Sequence, residues 1–186
     1  MNRVRGFTLI ESIIVMVVMA IAMVTFIQFL VPQIANSGDP HYQSRAAALG
    51  QSVMTKVLAR KFDQNSDNLG GAIRCSSVDA DSVPCTGLSG TAKLGRDTVD
   101  GVEEVEAVFN DVDDYIGCWT ANSSGGCQDL YQLISDGEDS AYHNFRVDID
   151  AAYETNTAQQ MVKKVTFTIT AGKHSPIKYV AYRGNF

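Results

Sequence analysis

Residues 6–12 read GFTLIES, and the nineteen that follow, IIVMVVMAIAMVTFIQFLV, carry the same apolar character to Val31. Positions 13–24 are twelve apolar residues in succession. As a helix, residues 7–31 would span roughly 37 Å at 1.5 Å per residue, more than a bilayer core of about 30 Å. A helix packed on a soluble core keeps a polar face, and this one has none. The stretch reads as a membrane span, and the rest of the chain is organised around that fact.

The start differs from an ordinary secretory signal. No A-x-A-like cleavage site follows the apolar run; the small residue, Gly6, stands before it instead. Arg3 and Arg5 hold the N-terminus in the cytoplasm under the positive-inside rule, which places everything after Val31 on the far side. Glu11 is the anomaly, because a carboxylate at the centre of a span costs on the order of 3 kcal/mol and less near its edge. Thr8-x-x-Glu11 matches a helix-capping box, and a carboxylate suits the positive end of the helix dipole. A cut between Gly6 and Phe7 offers a second account, since it creates an α-amino group four residues before Glu11. An ammonium and a carboxylate about 4 Å apart attract by roughly 4 kcal/mol at an effective dielectric of 20. The amine of a neighbouring subunit serves as well as the chain's own.

These residues, Gly6-Phe7-Thr8-Leu9-Ile10-Glu11-Ser12 after a short basic leader and before an apolar helix, closely resemble the N-terminus of type IV pilins and type II secretion pseudopilins. The resemblance implies cleavage by a prepilin peptidase after Gly6 and methylation of the new N-terminal Phe7. It also implies an assembly role for Glu11, through pairing with a neighbour's N-terminus. Many major pilins have a proline where this chain has Gln28, whereas this chain has Pro32, which displaces the helix kink usual in the family.

Composition fits a membrane-anchored extracytoplasmic domain. The formal charge is −6, and without Arg3 and Arg5 it becomes −8, with 13 basic against 21 acidic side chains. That balance argues against nucleic acid and against anionic lipid headgroups as partners. About 150 residues follow the span, enough for one modest core. All four cysteines, Cys75, Cys85, Cys118 and Cys127, lie there. An even count in an oxidising compartment favours two disulfides, and proximity favours Cys75–Cys85 and Cys118–Cys127 among three connectivities.

Asp39-Pro40 is a helix start, with Asp at the N-cap and Pro at the first helical position. Tyr42, Ala46, Leu49, Val53 and Val57 then recur at helical steps through Phe62. Ser37-Gly38 marks a break or bend before it. Residues 64–101 are rich in Gly, Ser, Asp and Asn and read as irregular surface. Val102, Val105, Val108, Phe109 and Val112 mark a short amphipathic helix, followed by a polar loop over 120–144. The last third alternates with period two: Phe145, Val147, Ile149, Ala151 and Tyr153, then Val165, Phe167, Ile169 and Ala171, then a third strand over 177–183. Turns at 155–158 and 172–176 make these an antiparallel meander. The expected organisation is a leader at 1–6, a transmembrane and assembly helix at 7–31, and an amphipathic helix at 32–63. An irregular region with disulfides and a short helix fills 64–144, and an antiparallel sheet 145–186. This is an α+β fold, and the resemblance implies that the helical spine packs on the sheet.

Catalytic signals are weak. His41, His143 and His174 are scattered, Ser89 in GLSG does not form a nucleophile elbow, and no phosphate-binding loop is present. No enzyme activity and no cofactor are expected. The acidic phrase Asn110-Asp111-Val112-Asp113-Asp114 opposes the dipole of the expected helix, so it calls for compensation. A solvated acidic edge, or Asp113 capping a following turn, is the plain reading; calcium held by Asp111, Asp113 and Asp114 is the alternative, although the spacing is not an EF-hand. With Cys118-Trp119 the phrase FNDVDDYIGCW also resembles a segment of the D-type minor pilins of mannose-sensitive-haemagglutinin pili. Trp119, Tyr115 and Tyr131 are the residues for a sugar site if the chain is an adhesive tip, and packing beside a disulfide is their plainer role.

The expectation is a non-enzymatic, minor type IV pilus subunit. It is held in the bacterial inner membrane by one pass, with a periplasmic C-terminal domain, and then assembled into the fimbrium. Its partners are other pilin subunits, the prepilin peptidase and the membrane, with the surface ligand unknown. A type II secretion pseudopilin and a pilus-displayed adhesin are the alternatives.

Overall fold

A computed structural model describes residues 8–36, 39–67, 73–76, 82–88, 93–157 and 160–185. The chain divides into two compact units, Met1–His41 and Tyr42–Phe186.

The first unit holds helix α1 (Leu9–Asn36), in which Glu11 is the single charged side chain. Thr8 begins it: its hydroxyl accepts from the Glu11 N–H at 3.4 Å, and its carbonyl from the Ser12 N–H at 3.2 Å. This is the Thr half of the expected capping box. Thr25 turns its hydroxyl back onto the carbonyls of Ile21 (3.1 Å) and Ala22 (2.9 Å), which keeps it satisfied within an apolar helix. The helix runs on past Val31, the expected end of the span, to Asn36. Pro32 lies inside it and removes only the one bond to the Gln28 carbonyl, after which the turn continues to Asn36. The break expected at Ser37-Gly38 lies outside the described residues, as do Gly6, Phe7 and Ser89.

The second unit is built on helix α2 (Asp39–Leu58) and a five-stranded sheet. Ala46, Leu49, Val53 and Val57 of α2 are buried, one above the other, in the periodicity read from the sequence. Gly50 lies where a Cβ would come within 2.6 Å of the Tyr179 ring and 2.9 Å of Ile169, so helix and sheet meet at a close approach that any larger residue would force apart. The helix ends at Leu58, short of the expected 63. Lys61 leaves it to form a parallel bridge with Asp111: the Lys61 N–H donates to Asn110 O at 3.2 Å and the Val112 N–H to Lys61 O at 3.1 Å.

The main strands are β5 (Phe145–Thr157), β6 (Gln160–Ala171) and β7 (Ile177–Gly184), antiparallel as expected, with Phe145 opposite Ala171 and Ile169 opposite Ile177. Val147, Ile149, Val165, Phe167 and Ile169 point inward and are buried. Two further strands were not expected. β3 (Gly117–Thr120) pairs antiparallel with β5, and β4 (Gln128–Asp129) pairs parallel with β3, giving the order β4-β3-β5-β6-β7. The sheet is therefore mixed rather than wholly antiparallel, and it recruits residues from the region expected to be irregular. Trp119 anchors β3, fully buried, with its indole N–H donating to Tyr115 O at 3.0 Å.

The amphipathic helix expected over residues 102–112 is absent. Strands β1 (Thr98–Val99) and β2 (Val102–Glu103) form a hairpin whose turn residues, Asp100 and Gly101, have φ of 53° and 81°. Positive φ at both turn residues is the type I′ geometry that Asp-Gly favours. Val102, Val105 and Val108 are exposed, and only Phe109 and Val112 reach the core. Within the expected polar loop, α3 (Leu130–Ser135) forms because Asp129 caps it, accepting from the Tyr131 N–H at 3.0 Å. The structure pairs Cys75 with Cys85 and Cys118 with Cys127, each with Cα atoms 4.9 Å apart.

Candidate functional site

Helix α1 supplies the first candidate. Over Leu9–Ile34 it is long and apolar enough to cross a membrane, and none of its most apolar window is buried within the chain. Seventeen large apolar side chains of α1, from Leu9 to Ile34, stand exposed among the described residues. At about 1.5–3 kcal/mol for burying each, their coverage is worth tens of kcal/mol, more than the roughly 5–15 kcal/mol that stabilises a whole domain. Such a helix must therefore be covered by lipid or by other helices. Glu11, exposed in its first turn, is the single charge available to specify that packing.

The second candidate lies within Tyr42–Phe186. Asp63, Asp111, Asp113, Asp114 and Lys163 are each 0 or 1% exposed. Lys163 occupies an inward position of β6, between Met161 and Val165. Its ammonium donates to Phe62 O at 2.7 Å, to Asp63 Oδ2 at 3.1 Å and to Asp113 Oδ1. The rings of Phe62 and Tyr153 lie 4.7 and 5.5 Å from it. Asp63 is further satisfied by the Asn65 N–H (3.1 Å) and by the N–H (2.9 Å) and hydroxyl (3.3 Å) of Thr86. This half is a closed ionic centre. It joins β6, the segment after α2 and the turn at Asp113–Tyr115.

In the other half, among the described residues, no Lys or Arg forms an ion pair with the carboxylates, although the Lys163 charge bears on Asp111 and that of Lys61 on Glu104. Asp111 Oδ1 accepts from the N–H groups of Asp113 (2.9 Å) and Asp114 (3.3 Å), and Asp114 Oδ2 from those of Asn110 (2.8 Å) and Asp111 (3.0 Å). The hairpin brings Asp97 and Glu104 alongside, with the Glu104 N–H on Asp97 O at 3.0 Å. Burial, then the neighbouring Asp113 and Asp114, pushes the Asp111 carboxyl up to about 9. Burial and the same acidic neighbours, Asp114 first, push Asp97 up to about 6. Burial and Asp114 raise Glu104 as well, against the opposing charge of Lys61.

Of the expected calcium residues, the structure brings Asp111 and Asp114 together with Asp97, and it assigns Asp113 to Lys163 instead. The acidic phrase is not a solvated edge, nor does it end a helix, since the chain returns through the Lys61 bridge and closes over it. Lys163, Asp63, Asp97 and Glu104 were missed. The signal for Lys163 was present: a lysine in the apolar phase of an alternating strand. The expected sugar-binding aromatics are not available for stacking, because Trp119, Tyr115 and Tyr131 are at most 3% exposed. They pack in the core, Trp119 and Tyr115 around Phe109. His41, His143 and His174 do not converge among the described residues; His174 stacks on Tyr42 with ring centroids 4.3 Å apart.

The family model for the prokaryotic N-terminal methylation motif matches residues 1–27. The N-terminal segment is thus type IV pilin-like, and it runs directly into the exposed apolar helix. No curated protein and no solved structure matches the chain.

Proposed function

We propose that this chain is a minor, non-enzymatic subunit of a type IV pilus. A prepilin peptidase cuts it between Gly6 and Phe7, Phe7 is N-methylated, and α1 holds the subunit in the inner membrane until it is packed into the filament. The observation that carries this reading is the methylation motif over residues 1–27, followed by a helix that buries none of its apolar window within its own chain. On leaving the bilayer, α1 can recover its apolar coverage only against the equivalent helices of other subunits. Glu11, the single charge on that helix, then fixes the register by pairing with the amine of a neighbour's Phe7. The unit from Tyr42 onward, with its own core, faces outward and selects partners.

The test compares wild type with Glu11→Gln in membranes and in sheared surface filaments, with processing read by intact mass. The wild-type chain begins at methylated Phe7 and is recovered in filaments. Glu11→Gln is cleaved normally but enters filaments poorly, because the amide forfeits most of a few-kcal/mol attraction. A processed wild-type chain found in membranes but never in filaments would replace the pilus reading with the secretion-pseudopilin one. A chain retaining Arg5 beside a working peptidase would overturn both.

A further inference from the structure

Four oxygens around the acidic turn are buried with no donor: Asp97 Oδ2, Glu104 Oε2, Asn110 Oδ1 and Asp114 Oδ1. Asp114 is 0% and Glu104 8% exposed, so bulk water does not supply the partners these two lack, while Asp97 and Asn110 are half-buried. An orphaned buried acceptor costs on the order of 1–3 kcal/mol, and more when charged. All four orphans are acceptors, so what they lack is a cation or a donor rather than another carbonyl.

The carboxylates of Asp97, Asp111 and Asp114 present oxygens all within 4.8 Å of one another. Two oxygens each about 2.4 Å from a shared calcium ion are at most about 4.8 Å apart, so this spacing admits a common ion. Among the described residues, no Lys or Arg forms an ion pair with Asp97, Glu104, Asp111 or Asp114; Lys163 is committed to Asp63 and Asp113. Lys61 bears on Glu104 and Lys163 on Asp111, but Lys163 already faces Asp63 and Asp113, so Asp97 and Asp114 are left with no close cation among the described residues.

The geometry points to a calcium site formed by Asp97, Asp111 and Asp114, with Glu104 and the side-chain Oδ1 of Asn110 at its edge. The donor set is all oxygen and carries no nitrogen or thiolate, since the four cysteines are paired, which disfavours zinc. Calcium accepts six to eight oxygens in irregular arrangements, whereas magnesium demands an octahedron and keeps its waters. The ion ties the β1–β2 hairpin, through Asp97 and Glu104, to the turn that carries Asp113 and Tyr115. Among the described residues no hydrogen bond joins those two segments, so the metal orders one face of the unit from Tyr42 onward. This site is independent of the pilus reading.

The experiment uses the full-length protein in detergent, stripped with chelator and melted with calcium, with magnesium or with neither. Calcium at a hundredfold excess over Kd raises Tm by roughly 5–10 °C for a chain of this size, and magnesium does not. Asp97→Asn and Glu104→Gln are the informative variants, because neither side chain makes a hydrogen bond among the described residues, so neither change removes a folding contact seen there. Asp97→Asn weakens calcium binding at least tenfold by calorimetry while melting, in chelator, no lower than wild type. Asp148→Asn, at the surface pair with Arg146, leaves the calcium response unchanged. A wild-type protein with no calcium-dependent shift overturns the site, as does equal protection by magnesium. An Asp97→Asn response equal to wild type does the same.

Discussion

Lys163→Met is the substitution that interrogates the unit from Tyr42 onward most directly. Methionine nearly preserves the volume of lysine, so the change deletes charge and donors with little cavity. It leaves Asp63 and Asp113 buried without a cation and removes the donor to the Phe62 carbonyl. Breaking a buried ion pair from one side costs about 3–5 kcal/mol, and the orphaned carbonyl adds about 1 kcal/mol. Against a total of roughly 5–15 kcal/mol the domain is then marginal, with Tm lower by about 10–20 °C. Trp119 is the chain's single tryptophan and is fully buried in this core, so its fluorescence in urea reports this unit without interference from α1. Adding Asp113→Asn to Lys163→Met removes one stranded charge. The double variant should recover at least about 2 kcal/mol relative to simple additivity. A loss below about 1 kcal/mol for Lys163→Met, or strict additivity with Asp113→Asn, would refute the ionic centre as a stabilising junction.

Three further outcomes follow from the same geometry. In chelator, the domain should lose stability from pH 5 to pH 9, read by urea titrations of Trp119. Asp97 and Asp111 are raised to about 6 and 9 in the fold, so their contribution is complete below the ordinary carboxylate range and is lost as pH rises through those values. The charges facing them, Asp63, Asp113, Asp114 and Glu104 against Lys61 and Lys163, keep that sign; rising stability over the same range would contradict it. Gly50→Val should cost about 1–3 kcal/mol by overpacking against Tyr179 and Ile169, with unfolding in urea as the measure, although valine is the better helix former. On graded reduction and alkylation, Cys118–Cys127 should open before Cys75–Cys85, because Cys118 is half-buried whereas Cys75 is 0% and Cys85 2% exposed beside Phe62 and Met161.

The elements that could be read from sequence are those whose burial is periodic. Ala46, Leu49, Val53 and Val57 repeat on a helical face, and Val147, Ile149, Val165, Phe167 and Ile169 alternate, because each element buries one face against a large partner. Residues 102–112 show the converse. Val102, Val105 and Val108 have helical spacing yet bury nothing, while Asp100-Gly101 carried the stronger local signal for a hairpin. β3 was too short for any period; its place depends on one side chain, Trp119, and on a strand thirty residues later.

The buried charge cluster, carboxylates with Lys163, is hidden for a different reason. Its members come from five separated stretches: 63, 97, 104, 111–114 and 163. On a surface, Asp111, Asp113 and Asp114 would be ordinary solvated charges, and nothing in their own phrase distinguishes that case from burial. The difference is made by Lys61, whose bridge to Asp111 draws the end of α2 across the turn, and by Lys163, which arrives from β6. A burial that depends on the return of distant chain cannot be read from local composition. It leaves one trace, a charged residue where an alternating strand should be apolar, and Lys163 is that residue. Buried charges demand a partner of opposite sign. A lysine in the apolar phase of a strand is therefore evidence that carboxylates elsewhere in the sequence are buried too, and the acidic phrase at 111–114, set among apolar residues, is one of the two densest places to find them.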